Sequence, residues 1–232
     1  MNINLLKQIP VILRSQPDPR FIAQQLRKPS GDFAKEVGQK MDIVNKPLFD
    51  LTLEVLNPNE NDRILEIGFG TGKFLEKMFS IEENIDISGI DYSEEMVKLA
   101  KQNNPDLLSS DKLDLRKAES DSLPFDDSSF DKVFCNMVIY FWDHPKEHLA
   151  EIYRILKPGG AFYTGMREYE SMLTFPFVEH GFNLFRVEQW ENILVKNGFS
   201  LLESRRQQDA PLEIDDMKIQ LISCCIAAGK DK

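Results

Sequence analysis

A short hydrophobic run followed by three alternating glycines constrains this chain more than any other stretch. Arg63–Ile67 reads Arg-Ile-Leu-Glu-Ile, the glycines follow at Gly68, Gly70 and Gly72, and a helical pattern begins after them. This order predicts a buried strand, a tight turn and a helix. Glycine adopts positive φ and lets a ligand approach the backbone where a Cβ would collide. The stretch therefore predicts a cofactor site in a doubly wound α/β sheet.

Length and charge exclude several classes of protein. The 232 residues allow one or two domains with a sizeable core, and they carry a formal net charge of -10. Because nucleic acid is bound through clustered lysine and arginine, the acidic balance disfavours it, and no nucleic-acid partner is expected. No apolar run is long enough to span a membrane, and the N-terminus lacks the pattern of a secretory signal.

The few cysteines and histidines argue against disulfides and metal. Cys135, Cys224 and Cys225 give no disulfide framework, and the adjacent pair on one strand would point to opposite faces. A reduced, cytoplasmic setting is the expectation. With three histidines and no Cys-x-x-Cys pair, no metal site is predicted.

Residues 1–60 are predicted to form an N-terminal helical extension or lid ahead of a cofactor-binding domain, residues 61–232. The clearest helical patterns are Phe21–Leu26 and Phe33–Val55. Basic residues dominate residues 1–30, where Asp18 is the single acid; they are Lys7, Arg14, Arg20, Arg27 and Lys28. Two interpretations stay open: a solvated helical cap over the core, or a patch that contacts a membrane surface or an anionic substrate.

An acidic residue ends the second predicted strand, Ile85–Asp91. Asp91 lies about 20 residues beyond the glycines, where a carboxylate can accept both ribose hydroxyls of a nucleotide. The competing interpretation is a helix cap. However, Ser93 is the better N-cap, with Met96 at N3, which leaves Asp91 free. Tyr92 is predicted to stack on the base of the cofactor, or else to be an ordinary packed or surface tyrosine.

Further motifs follow in order along the chain. The acidic run Glu119–Phe125 reads Glu-Ser-Asp-Ser-Leu-Pro-Phe, and Asp131–Asn136 predicts a fourth strand. Ligands bind at the carboxyl ends of such strands, so Asn136 contacts the cofactor or the substrate, or it only caps a turn. The run Leu156–Gly160, Leu-Lys-Pro-Gly-Gly, predicts a helix stop and a turn before a fifth strand, Ala161–Gly165.

Residues 63–165 resemble the class I S-adenosylmethionine-dependent methyltransferases, because Glu66–Gly72, Glu119–Phe125 and Leu156–Gly160 match their motifs in order and spacing. The resemblance implies a Rossmann-like, doubly wound sheet of seven strands in the order 3-2-1-4-5-7-6, with the last strand antiparallel. It also implies S-adenosylmethionine as cofactor, and methyl transfer by in-line displacement to a small-molecule or lipid acceptor.

The resemblance also gives roles to individual residues. Glu66 is expected to brace the glycine turn and to meet the amine of the methionine part. Glu119 is expected to accept the adenine amino group, beside the backbone N–H of Ser120. The predicted cofactor-binding residues are together Glu66, Gly68, Gly70, Gly72, Asp91, Tyr92, Glu119, Ser120 and Asn136.

Catalysis and the acceptor are less constrained by the sequence. Transfer from a sulfonium needs an oriented nucleophile more than a catalytic residue, so none is assigned. Tyr140, His144 and Glu168 are candidates for a base or a positioning group. Residues 166–186 form either a substrate-facing lid or a packed helix; their aromatics are Tyr169, Phe175, Phe177, Phe182 and Phe185.

Two rival functions remain, and the oligomeric state is not predicted. A nicotinamide-dependent oxidoreductase would place its third glycine where this chain has Lys73. A non-catalytic cofactor-binding or regulatory protein could use the same sheet.

Overall fold

The structure is a computed structural model that describes residues 18–214 and 217–231. In this part of the chain the strands are β1 (Arg63–Ile67), β2 (Asp86–Asp91), β3 (Leu113–Lys117), β4 (Phe130–Asn136), β5 (Leu156–Arg167), β6 (Ser200–Gln208), β7 (Leu212–Ile214), β8 (Met217–Ile219) and β9 (Ile222–Gly229). The α-helices are α1 (Pro19–Arg27), α2 (Ala34–Leu56), α3 (Leu75–Ile81), α4 (Glu94–Asn103), α5 (Pro105–Ser109), α6 (Pro145–Ile155), α7 (Tyr169–Met172) and α8 (Val187–Lys196). Short 3-10 turns lie at Gly31–Phe33, Ile139–Phe141 and Pro176–Glu179.

Seven of these strands form one sheet in the order β3-β2-β1-β4-β5-β9-β6. Strands β1 to β5 pair in parallel, while β9 is antiparallel to both β5 and β6. The predicted Rossmann-like order is confirmed, with β9 as its last strand. The two-stranded sheet of β7 and β8 was not predicted, because strands of three residues are too short to show a periodic pattern.

Both faces of the sheet are covered. The inner strands are therefore buried on both sides, which explains why their sequences are almost uninterrupted runs of hydrophobic residues. Adjacent residues of β9 serve the two faces: Cys224 packs with Trp190, and Cys225 packs in the other cluster with Phe49. This is the opposite-face arrangement expected of neighbouring strand residues. Both cysteines, and Cys135 on β4, are buried free thiols.

Two boundaries differ from the prediction of a helix over Thr71–Phe79 and of a turn that precedes the fifth strand. Helix α3 begins at Leu75, because the glycine turn continues through Gly72, whose N–H bonds the Phe69 carbonyl at 3.0 Å. The predicted turn Leu156–Gly160 is continuous with β5, which changes direction at Gly159 (φ 80°). Glycine adopts this conformation without strain.

The predicted helices at 21–26 and 33–55 are confirmed as α1 and α2. The Asp18 side chain caps α1 by accepting the Arg20 N–H at 2.9 Å, with Pro19 at the first helical position. Lys7 and Arg14 lie outside the described residues. No helix in the described ranges is long and apolar enough to cross a membrane.

Helix α2 has two halves with different roles. Its second half is buried against β5 and β9 through Leu48, Leu51 and Leu56. Its first half, residues 37–45, lies over the carboxyl ends of the strands. The sheet therefore fixes one half of the helix, and the other half becomes a wall of the cavity described next.

Candidate cofactor and acceptor site

One large cavity lies at the carboxyl ends of the parallel strands, where open α/β sheets bind ligands. Its volume is about 1540 Å³, and its wall includes Ile67, Asp91, Asn136 and Arg167 from β1, β2, β4 and β5. A single drug-sized ligand fills a pocket of about 300–1,000 Å³. The cavity is therefore large enough for a cofactor and a second molecule together.

The three glycines of the turn all have positive φ, but they face different surroundings. Gly68 (φ 77°) and Gly70 (φ 56°) line the cavity, whereas Gly72 (φ 67°) does not. A Cβ on Gly68 would lie 2.5 Å from Val138 Cγ2, and one on Gly72 would lie 2.9 Å from Ala100 of α4. A Cβ on Gly70 would meet nothing within 4 Å. Gly68 and Gly72 are therefore required by packing, and Gly70 leaves the backbone open to a ligand.

The Asp91 carboxylate is held by two backbone donors. Ser93 N–H donates to Oδ1 at 2.8 Å, and Gly70 N–H donates to Oδ2 at 3.0 Å. Ser93 is also the N-cap of α4, accepting the Met96 N–H at 3.3 Å, as predicted. The expectation that capping by Ser93 leaves Asp91 free is wrong, because a carboxylate at this strand end reaches both turns. Each oxygen keeps one unused lone pair, which suits a vicinal diol.

Burial raises the pKa of Asp91 to about 6 against the opposing effect of these two hydrogen bonds. Glu66 is buried beside it, and burial, followed by the charge of Asp91, raises the Glu66 pKa to about 8. No donor to the Glu66 carboxyl is found among the described residues. Two neighbouring carboxyls without a cation between them fit a cationic ligand, although Glu66 itself is not part of the cavity wall.

The residues that were predicted to surround the adenine all line the cavity. Tyr92, Glu119 and Ser120 line it, and Lys28 Nζ lies 4.5 Å from the Tyr92 ring centroid. Glu119 is exposed, whereas Ser120 is buried and its Oγ lies 2.8 Å from Nδ1 of His148.

His148 is a wall residue that the sequence reasoning missed. Its ring stacks on Trp142, with centroids 4.6 Å apart and planes 7° apart, and burial lowers its pKa. A signal was present in the sequence, since His148 is one turn before the buried Ile152 on the same face of α6.

Asn136, at the end of β4, also lines the cavity. Its Oδ1 accepts the Thr52 hydroxyl at 2.7 Å, while its buried Nδ2 has no partner among the described residues. Gly165 on β5 leaves room for this amide, because a Cβ there would collide with Asn136 Oδ1.

Comparison with known proteins decides the family. The sequence model described as "Methyltransferase domain" matches residues 65–164. The chain is 31% identical over 134 residues to the uncharacterized methyltransferase YdaC of Bacillus subtilis, a match that covers 58% of this chain and 72% of YdaC. This chain belongs to the class I S-adenosylmethionine-dependent methyltransferases. Its cofactor is S-adenosylmethionine.

Other similar proteins share the fold or part of the sequence. The ubiquinone/menaquinone biosynthesis C-methyltransferase UbiE of Geotalea daltonii is 37% identical over 101 residues, which are 43% of each chain. The protein solved with the Trm112 methyltransferase activator of Haloferax volcanii superposes with a TM-score of 0.73 at 23% identity, over 86% of this chain and 96% of that one. The methyltransferase TM1293 of Thermotoga maritima superposes with a TM-score of 0.63 at 25% identity, over 86% and 98%.

The methyltransferase cavity continues past Asn136 to Arg167, which sequence reasoning also missed because the predicted fifth strand ended at Gly165. The Arg167 side chain is 1% exposed. It pairs with Asp209, donates to Ser223 Oγ at 2.5 Å, and donates to the Val44 carbonyl of α2 at 2.8 Å. Its Nε–H has no partner among the described residues.

The three candidate bases of the methyltransferase lie in different places relative to the cavity. Tyr140 is buried outside the cavity wall, where its hydroxyl bonds the backbone N–H and C=O of Arg167 at 2.8 and 3.1 Å. Glu168 also lies off the wall and pairs with Arg206 at 3.3 Å. Of the three, only His144 lines the cavity.

The aromatic segment after β5 combines both of its predicted roles. Phe175, Phe177 and Phe182 line the cavity. Tyr169 instead lies under Arg186, and Phe185 packs on the buried Trp190. One part of the segment therefore faces the cavity, and the other packs against the body of the methyltransferase.

Proposed function

We propose that this methyltransferase transfers a methyl group to a largely apolar small-molecule or lipid acceptor. The observation that carries the proposal is the second part of the cavity, beyond the glycine turn and Asp91. Its wall there is mostly apolar and aromatic: Phe21, Met41, Phe141, Met172, Phe175, Phe177, Phe182, Leu212, Ile219 and Leu221. Such a wall stabilises an apolar molecule by removing its surface from water.

The cofactor is assigned to the other part of the cavity, whose wall includes Gly68, Gly70, Asp91, Tyr92, Glu119 and Ser120. Gly70 gives backbone access, the unused lone pairs of Asp91 suit the ribose hydroxyls, and Tyr92 with Glu119 and Ser120 surround the position of the base. When bound, the cofactor supplies an electrophilic methyl group on a sulfonium. The buried carboxyls of Glu66 and Asp91 suit its positive charge.

The chain itself contributes orientation and the exclusion of water. Proximity and alignment of two bound reactants can supply roughly 7–11 kcal/mol of the barrier. Helix α1 lines the cavity and contacts the 176–179 turn, and Arg27 pairs with Asp143 at 2.9 Å. We assign α1 and the first half of α2 the role of a lid over both ligands.

The basic segment at the N-terminus fits a lipid acceptor. Of its described members, Arg20 and Arg27 lie in the lid helix α1 and Lys28 is its C-cap, on an otherwise acidic protein. Clustered cations attract anionic membrane surfaces, so residues 1–30 are assigned peripheral membrane contact during acceptor uptake. Relatives named for ubiquinone/menaquinone and demethylmenaquinone methylation support an acceptor of low polarity.

Calorimetry and turnover test the proposal in two steps. S-adenosylmethionine and S-adenosylhomocysteine should bind the purified protein, and NAD should not. Tritiated S-adenosylmethionine should then label acceptors that partition into organic solvent from a panel of quinols, phospholipids, fatty acids, phenols and amines. Tight binding of NAD without S-adenosylhomocysteine would reject the proposal, and cofactor binding without any product would favour the regulatory alternative.

A further inference from the structure

Arg167 is a buried cation that the proposed cofactor contacts leave without a role. Three of its donor contacts are satisfied by Asp209, Ser223 and the Val44 carbonyl, but its Nε–H is not. A buried donor without a partner is unfavourable, because it has lost its hydrogen bonds to water. Because Arg167 is also part of the cavity wall, a ligand atom can supply the missing acceptor.

The position of Arg167 assigns it to the acceptor rather than to the cofactor. Apart from Asn136, the predicted cofactor residues belong to β1, β2 and the loops after β1, β2 and β3, whereas Arg167 ends β5. With neighbouring strands about 4.8 Å apart, the end of β5 lies about 10 Å from that of β1. Asn136 lies between the two, on β4, and its Nδ2 is the second buried donor without a partner.

The surroundings of Arg167 define the chemistry of its ligand. The ion pair with Asp209, itself 2% exposed, offsets the guanidinium charge, but Nε–H remains the donor of a charged group and binds an anionic oxygen more strongly than a neutral one. The wall of the same cavity also includes the apolar Met172, Leu212 and Leu221. The two unpartnered groups are both N–H donors, so they accommodate an oxygen lone pair and reject a ligand that offers only N–H groups.

We propose that Arg167 Nε and Asn136 Nδ2 form a subsite for the head of the methyl acceptor, and that the acceptor is an apolar molecule with a carboxylate, phenolate or carbonyl oxygen. This proposal rests on the proposed function, because it names the class of acceptor that the methyltransferase would use. The hydrogen bonds hold the head beneath α2, while the aromatic wall holds the apolar remainder.

Binding of three probes that share one alkyl chain and differ only in the head group tests the subsite without turnover. Dodecanoate, dodecanol and dodecylamine are titrated calorimetrically into the full chain saturated with S-adenosylhomocysteine. Dodecanoate should bind about tenfold or more tightly than dodecanol, because one donor is charged, and dodecylamine should bind weakest. Equal affinities for the three probes, with S-adenosylhomocysteine bound normally, would overturn the subsite and leave the proposed function intact.

Variants then test whether Arg167 is the source of the preference for dodecanoate. Arg167→Met with Asp209→Asn removes the donor without leaving a buried charge unpaired, and Arg206→Met removes an exposed arginine as a matched control. The double variant should lose the preference for dodecanoate, and the control should keep it. A preference that survives in a folded double variant, one that still binds S-adenosylhomocysteine, would overturn the assignment to Arg167.

A second variant covers the case in which the double variant does not fold. Asn136→Asp keeps the acceptor for Thr52 and replaces the Nδ2 donor by an oxygen, so dodecanoate affinity should fall about tenfold. Failure of S-adenosylhomocysteine to bind the wild-type protein is a different result, since it would reject the proposed function rather than the subsite.

Discussion

The two ends of the cavity are built in different ways. At the cofactor end, the polar contacts join neighbouring strand ends. Asp91 is the last residue of β2, Gly70 follows the adjacent β1, and Ser93 is two residues from Asp91. At the acceptor end, Arg167 is held by groups far away in sequence, from Val44 to Ser223. The first end uses backbone donors that any chain with this turn provides, whereas the second depends on particular side chains. The residues at the cofactor end can therefore stay the same in related methyltransferases, while the side chains at the acceptor end differ from one relative to another.

The largest expected effect is a pH dependence of the free energy of unfolding that comes from Glu66 at the cofactor end. The folded pKa of Glu66, about 8, lies above the unfolded value of about 4.3. The folded protein therefore holds a proton that the unfolded chain releases, and the free energy of unfolding falls as pH rises from about 4.3 to 8. At about 1.4 kcal/mol per pKa unit, the loss is at most about 5 kcal/mol. Urea unfolding of the cofactor-free protein at several pH values measures it.

Glu66→Gln should flatten this pH dependence, while Glu76→Gln, an exposed change on α3, should leave it unchanged. The cationic cofactor should also displace the proton, so that binding near pH 7 releases it. Calorimetry in buffers of different ionisation enthalpy detects that release. A pH profile that is the same in wild type and Glu66→Gln would remove Glu66 from this role.

The second-largest expected effect is a loss in the free energy of unfolding when Arg167, at the acceptor end, is replaced. Arg167→Met alone leaves Asp209 buried without its cation, which should lower the free energy of unfolding by about 3–5 kcal/mol. Adding Asp209→Asn should restore much of the loss, because no buried charge is then unpaired. Arg206→Met breaks exposed pairs and should cost less than about 1 kcal/mol. Chemical denaturation of the four proteins checks the order, and equal losses in the two arginine variants would contradict it.

The contrast between the ends also explains what the sequence could predict. The glycine turn, the position of Asp91 at a strand end and the Ser93 cap were predictable because each depends on residues close together in the chain, whereas the order of the sheet was predicted from the resemblance to the methyltransferase family. Arg167 was not, since an arginine is rarely buried and its partners are known only after α2, β6 and β9 have come together. The hairpin β7–β8 and the stacking of His148 on Trp142 likewise depend on tertiary packing.

Two glycine substitutions sharpen the distinction between packing and ligand access. Gly68→Ala adds a collision with Val138 to the strain of positive φ, so it should lower the free energy of unfolding by roughly 2–4 kcal/mol. Gly70→Ala has the strain alone, about 1–2 kcal/mol, but places a methyl group against the cofactor. Gly70→Ala should therefore lose more S-adenosylhomocysteine affinity relative to its loss of stability. The reverse pattern would mean that Gly68 is the ligand-facing glycine.

The smallest effect tests the ribose contact itself. Asp91→Asn is nearly isosteric and keeps one acceptor oxygen, but its NH₂ faces one of the two backbone N–H groups that the carboxylate now accepts. Loss of one ribose hydrogen bond should weaken S-adenosylhomocysteine binding by about 1–3 kcal/mol in calorimetry. Asp86→Asn, an exposed change at the opposite end of β2, serves as the control and should change the affinity little. Probes that lack the ribose hydroxyls separate the contact from a structural effect: 2′,3′-dideoxyadenosine should bind wild type and Asp91→Asn about equally, whereas adenosine should prefer wild type. If both nucleosides lost the same affinity in the variant, Asp91 would be acting on the turn through Gly70 rather than on the sugar.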